Sequence, residues 1–244
     1  MNKTADKNKM EFREGLRDGI PIGLGYFAVS FALGIAARGA GLNPGQGFLA
    51  SFLCLASAGQ YAGFNAIAQS APYLELALIT LIVNARYMLM STAVSQKLDP
   101  KMKLIHRFCI AQFITDEIFA VEIRRPGYLN PYYTYGAGAV AAPLWALGTM
   151  SGILAGNLMP ARLVSALSVA LFGMFLAVII PPARKDRVIA GLIAASFACS
   201  YACEHLPPLC RLSQGNRVIL LTVVLSAAAA LIAPHSDPQE ETVS

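Results

Sequence analysis

Charge is what this sequence has least of. Only 14% of its 244 residues are charged while 56% are hydrophobic, and the mean hydropathy is +0.54. Soluble domains carry about 25% charged residues, so the deficit excludes an ordinary soluble domain. The long apolar runs also lack the polar faces that a soluble α/β protein with Ala-rich core helices requires. Cysteine is sparse too: five thiols, scattered, cannot build a disulfide scaffold. Cys54 and Cys109 read as small apolar packing residues. Cys199, Cys203, His205 and Cys210 lie close together, but their spacings match no zinc signature and Pro207 and Pro208 interrupt them, so they read as the end of a membrane helix. There is no GxSxG, HExxH or Walker loop, hence no visible apparatus for a protease, metalloprotease or autonomous ATPase. Neither enzyme chemistry nor a metal or cofactor is expected.

What the sequence does contain is a series of apolar runs of membrane-spanning length, each needing about 20 residues. They fall at 19–37, 48–69, 72–95, 104–121, 132–157, 161–181, 187–205 and 216–233. MNKTADKNKM precedes them without a cleavage signal and reads as part of a retained cytoplasmic polar tail over 1–14. HSDPQEETVS, within 235–244, reads as a polar disordered tail, leaving 15–234 as a single membrane domain. The net charge of +5 sits between the runs, where it orients a protein against anionic lipid rather than binding nucleic acid. If all eight runs cross, ten basic residues face inward and eight outward, which is nearly no bias. If 48–69 and 104–121 are broken or re-entrant, the balance becomes fourteen to four with both termini inside. The expected fold is therefore an all-α polytopic membrane protein with about six crossing helices and two broken or re-entrant segments. Both demoted segments carry unusual polar content, and broken helices are tolerated where they are shielded by protein or line an aqueous cavity.

In FITDEIFA, Asp116 and Glu117 stand among Phe113, Ile114, Ile118 and Phe119. A charge at mid-membrane costs at least about 2.5 kcal/mol on insertion scales, so each acid needs a partner, a cavity or a proton. Adjacent helical positions diverge by about 100°, which separates the two environments. Gln112 and Thr115 add hydrogen-bonding groups beside them. In LIVNARYMLMS, Arg86 lies inside an apolar run and stays charged, so a carboxylate from Asp116 or Glu117 is its natural partner. Asn84, Tyr87 and Ser91 can line the helix near it. Whether Arg86 packs two helices, holds a substrate carboxylate or gates access through the acids is left open by the residues alone.

SAGQYAGF joins Gly59, which can let the backbone unwind, to Gln60 and Tyr61, with Asn65 one turn on. Close packing of small residues reads equally well. Two glycine ladders, Gly15, Gly19, Gly23 and Gly148, Gly152, Gly156, put bare backbone on one helix face for close crossing. One ladder in each half suggests a degenerate internal repeat.

Taken together, VNARYMLMS, FITDEIFA, SAGQYAGF and WALGTMSGILAG resemble the AzlC family of branched-chain amino acid permeases, over nearly the entire length. The resemblance carries the family's arginine onto Arg86, its acid pair onto Asp116 and Glu117, and its small-residue stretch onto Ser57 to Gln60. It implies a bacterial inner-membrane exporter of valine, leucine or isoleucine, linked also to methionine, that works with a small AzlD-type membrane subunit. Proton coupling is expected because Asp116 or Glu117 can take up a proton in a low-dielectric setting. The rival readings are a non-transporting assembly subunit and a channel for another small solute.

Overall fold

The computed structural model describes residues 3–156, 186–205 and 214–232, with isolated positions between 158 and 184. Every regular element among the described residues is an α-helix: α1 (Lys3–Gly39), α2 (Pro44–Leu53), α3 (Ser57–Ala68), α4 (Tyr73–Val83), α5 (Ala85–Gln96), α6 (Leu104–Gln112), α7 (Asp116–Ile123), α8 (Pro131–Gly156), α9 (Arg187–His205) and α10 (Gln214–Ile232). The chain divides into two compact units, residues 1–71 with 83–171, and residues 72–82 with 172–244.

The first unit is organised around α1 and α8. In lipid there is no hydrophobic drive pulling apolar helices together, so association depends on how closely their backbones can approach. A side chain added at Gly15 would strike the backbone of Tyr133, and at Gly19 that of Ala137. Further along, Gly148 abuts Phe27 and Ser30, Gly152 abuts Phe31 and Gly34, and Gly156 abuts Arg38. Contacts that advance together in both sequences mean that the helices run parallel. The two glycine ladders thus serve opposite ends of one interface, and this pairing accounts for both. It buries Leu33, Ala37, Ala137, Ala141 and Ile153.

Around this pair the remaining helices of the unit are short because they are interrupted. The run at 48–69 is broken at Cys54–Ala56, where the backbone is extended, and 104–121 is broken at Phe113–Thr115. Both interruptions fall in the segments expected to be broken. A third was not expected: the run at 72–95 is divided at Asn84 into α4 and α5. Asn84 occupies the N-cap position of α5 with φ −96° and ψ 7°, and its side chain does not cap the helix.

The ends of these helices fix the path of α6 and α7. Lys97, just past α5, donates from Nζ to the carbonyls of Ile123 (2.8 Å) and Arg125, while Leu129 N–H donates to Lys97 O at 2.8 Å. Arg125 in turn pairs with Glu11 (2.7 Å) and Glu14 (2.8 Å) of α1. At the entry to α6, Arg107 donates to Asp99 O at 3.1 Å. The α5–α6 connection, the end of α7 and the start of α1 therefore share one end of the unit, and α6 with α7 goes in and comes back. The polar stretch 3–14 is helical and continuous with the apolar part of α1.

The second unit holds α4, α9 and α10. Leu192, Ser196 and Ser200 of α9 face Val218, Thr222 and Ser226 of α10 across a groove of about 310 Å³. Cys199 and Cys203 lie on α9, and His205 ends it with Nδ1 2.9 Å from Tyr201 O. Cys210 lies outside the described residues, as do most of the 161–181 run and the 235–244 tail.

The span count differs from six. Among the described residues α1, α8 and α9 are long and apolar enough to cross a membrane, and α4 with α5 makes a fourth if the broken pair counts as one span. The apolar part of α10, Asn216–Leu231, is too short by that measure. The count falls because the run at 72–95 is split at Asn84, α10 is too short, and most of the run at 161–181 lies outside the described residues.

Candidate functional site

The three interruptions adjoin one another. Gln112, at the end of α6, donates from Nε2 to Leu53 O beside the first break (3.1 Å), and Tyr87 Oη lies 3.5 Å from Leu55 O within it. Asn84 presses its amide against Gly59, where an added Cβ would overlap it. Arg86 reaches from the first turn of α5 to Asp116 at the first position of α7, 2.9 Å away. The guanidinium also lies 5.3 Å from the centre of the Tyr87 ring.

The two neighbouring acids have different partners. Asp116 takes Arg86, whereas Glu117 Oε2 lies 2.6 Å from Tyr26 Oη of α1. That same hydroxyl is 2.6 Å from Thr115 Oγ1, and its single proton serves one of them at a time. Thr115 caps α7 by accepting the Ile118 N–H, satisfying one of the donors left free at a helix start. α3 and α5 begin without a side-chain cap.

A second chain of hydrogen bonds runs behind the breaks. Trp145 of α8 donates from Nε1 to Gln60 Oε1 at 3.0 Å, Gln60 Nε2 donates to Ser51 Oγ, and Ser51 Oγ donates to Thr149 Oγ1 at 2.6 Å. Gln60, Ser51 and Thr149 are all buried, so each bond avoids the cost of an unpaired polar group. The edge of Tyr26 meets Trp145 with ring centres 5.3 Å apart, which joins this chain to the Glu117 side.

Two polar atoms at the junction stay unpaired although they are buried: Arg86 Nε and Asn84 Oδ1. One is a donor and the other an acceptor, and they lie two residues apart. Buried polar groups in native proteins are almost always satisfied, so this pair marks a place where hydrogen bonds are available.

The structure gathers Gln60, Asn84, Arg86, Tyr87, Gln112, Thr115, Asp116 and Glu117 around the breaks. Tyr61 and Asn65 follow on α3, both half-buried. The six ladder glycines lie instead on the α1–α8 interface. Sequence reasoning missed Tyr26, Ser51, Trp145 and Thr149, which sit in apolar runs and read there as packing residues. Among the described residues no cluster of acids, histidines and thiols could hold a metal ion.

Comparison with known proteins decides the family. The family model described as AzlC protein matches residues 21–159, more than half of the chain. The chain belongs to the AzlC family. A protein of Archaeoglobus fulgidus, named only as an uncharacterized membrane protein, is 31% identical over 192 residues, covering 78% of this chain and 84% of the relative. The inner membrane protein YgaZ of Escherichia coli K12 is 24% identical over 150 residues, covering 60% of this chain and 61% of YgaZ. No solved structure matches. Membership of this family supports a membrane role related to transport.

Proposed function

We propose that this AzlC-family protein is a secondary transporter that exports amino acids with branched or other apolar side chains, valine, leucine, isoleucine and methionine, in exchange for protons. The observation that carries the reading is the buried, unpaired donor and acceptor at Arg86 Nε and Asn84 Oδ1, set where three helices are interrupted. An α-amino acid presents a carboxylate and an ammonium about one carbon apart, and it loses the hydration of both on entering a membrane protein. Arg86 supplies the carboxylate with a charge-assisted donor, and Asn84 supplies the ammonium with an acceptor. The uncapped first turns of α3 and α5 add free N–H groups whose partial positive charge favours an anion.

Selectivity among the side chains is expected to be loose, because one methylene in an apolar pocket is worth only about 1–3 kcal/mol. Asp116 keeps Arg86 neutralised between substrates, so the guanidinium exchanges one carboxylate for another. The end of the unit that holds Lys97, Arg107, Arg125 and the start of α1 is assigned to the cytoplasm by its basic residues. A small second membrane subunit of the AzlD type is the proposed partner, placed in the same bacterial inner membrane.

The test is efflux of preloaded valine, leucine and methionine from proteoliposomes holding the chain, with and without the small subunit, under an imposed proton gradient. Saturable efflux that responds to the gradient supports the reading. Absence of efflux from folded complexes in both orientations removes it in favour of an assembly subunit, and flux that is neither saturable nor competed by leucine indicates a channel.

A further inference from the structure

Glu122 is the most deeply buried acid among the described residues, with 1% of its surface exposed, and it takes no part in the site above. It lies on α7 one turn beyond Ile118, which is completely buried. Its Oε1 is hydrogen-bonded to Thr134 Oγ1 of α8, and Thr134 is itself completely buried. Its Oε2 is buried with no partner.

The helices most closely packed on α7 are α1, α5 and α8, and none of the charged groups described on them forms an ion pair with Glu122. From α1, Glu11 and Glu14 hold Arg125, Asp18 accepts from Tyr133 Oη at 2.7 Å, and Tyr26 serves Thr115 and Glu117. Arg13 and Arg17 line an open groove on α1 with Asp6 and Lys9. From the α5 side, Arg86 takes Asp116, and Lys97 binds the carbonyls of Ile123 and Arg125. On α8, Tyr133 also lies under the Arg125 guanidinium, and Tyr135 Oη pairs with His106 Nδ1 of α6 at 2.7 Å. Among the described residues no cation forms an ion pair with Glu122.

An isolated carboxylate sealed from water with a single hydrogen-bond partner is too costly to remain ionised, and such a group instead takes a proton. Asp116 differs, since it has an arginine partner 2.9 Å away. From this contrast we infer that Glu122 is the proton-binding residue of the protein, neutral in the closed packing of α7 against α8 and releasing its proton to water when that packing opens. This rests on the proton-coupled reading above but moves the coupling site from the Asp116–Glu117 pair to a carboxyl one to two turns along the same helix. α7 is suited to carry it. It is eight residues long, starts at a break beside the proposed substrate site and ends where Lys97 caps it, so a shift on substrate binding is transmitted to Glu122.

The test uses the full chain in lipid vesicles with its small subunit, and Glu122→Gln, Thr134→Val and Asp116→Asn variants. Infrared spectra at neutral pH are expected to contain a protonated-carboxyl band that Glu122→Gln removes, Asp116→Asn leaves in place, and Thr134→Val shifts to higher frequency through loss of its hydrogen bond. In transport, Glu122→Gln is expected to keep gradient-free exchange of labelled leucine while the ratio of gradient-driven to gradient-free flux falls to one. An unchanged band in Glu122→Gln overturns the assignment, and so does retained gradient-driven flux. Should the wild-type chain move none of these amino acids, the transport reading fails on its own, and the infrared spectra still decide whether Glu122 holds the proton.

Discussion

Along α1 and α8 two helices meet through bare backbone, with glycine from one lying against carbonyl or glycine of the other over almost the whole interface. Around the break between α2 and α3, the start of α5 and the break between α6 and α7, the same unit gathers an arginine, two acids, three amides and the hydroxyls of Tyr26, Tyr87 and Thr115, and leaves two buried polar atoms unpaired. The first region spends its sequence on shape and the second on hydrogen bonding. A membrane protein has to keep these apart, because a close-packed seam has no room for solute and an interrupted helix is stable only if protein shields it. Here the parallel pair provides the shield. Tyr26, Trp145 and Thr149 are the points at which the pair reaches into the junction and holds it.

Breaking the two regions separately should therefore give different failures. The largest effect is expected at Arg86→Ala, which removes the donor proposed for the substrate carboxylate. Hydrogen bonds to charged groups contribute about 1.5–3 kcal/mol, so leucine affinity should fall about tenfold to a hundredfold, measured by binding to purified protein. Arg86→Lys should recover little of it, since an ammonium on a flexible stem does not reproduce the planar guanidinium.

Gly152→Ala attacks the seam, where its methyl would meet the Phe31 carbonyl. Overpacking of this kind costs about 1–3 kcal/mol, visible as a lower unfolding temperature in detergent, with transport per folded molecule retained. Trp145→Phe acts on the link between the regions. It leaves Gln60 Oε1 without its donor, at about 1–3 kcal/mol for a buried acceptor, and should lower both thermal stability and transport. The smallest effect is expected at Gly59→Ala, which displaces Asn84 and weakens one acceptor. At about 0.5–1.5 kcal/mol, that is up to about a tenfold rise in the leucine concentration giving half-maximal efflux, with unfolding temperature little changed.

Much of this division was legible in the chain. Four-residue glycine steps announced a tight helix face, and Arg86 in an apolar run required an acid that FITDEIFA supplied. The breaks at Cys54–Ala56 and Phe113–Thr115 fell within segments whose polar content marked them. Asn84 was noticed as polar but not as an interruption, because neither glycine nor proline accompanies it. Tyr26 and Trp145 could not be found from sequence, since an aromatic ring in an apolar run reads as packing until its polar tip is seen to meet Glu117 or Gln60. Glu122 reads from the sequence alone as a loop residue, because Arg124, Arg125 and Pro126 follow it. The overlooked signal was its four-residue step from Ile118, which puts it on the inward face of α7.

The central claim is that Arg86 and Asn84 recognise the two ends of an amino acid. Equilibrium binding of labelled leucine to the purified wild-type protein, competed with leucinamide, which lacks the carboxylate, and with 4-methylpentanoate, which lacks the ammonium, tests it most directly. The expected result is competition by valine, isoleucine and methionine, weak competition by both truncated compounds, and leucine binding weakened about tenfold to a hundredfold in Arg86→Ala. Leucine binding by Arg86→Ala as tight as that of the wild type, or leucinamide competing as well as leucine, would contradict it.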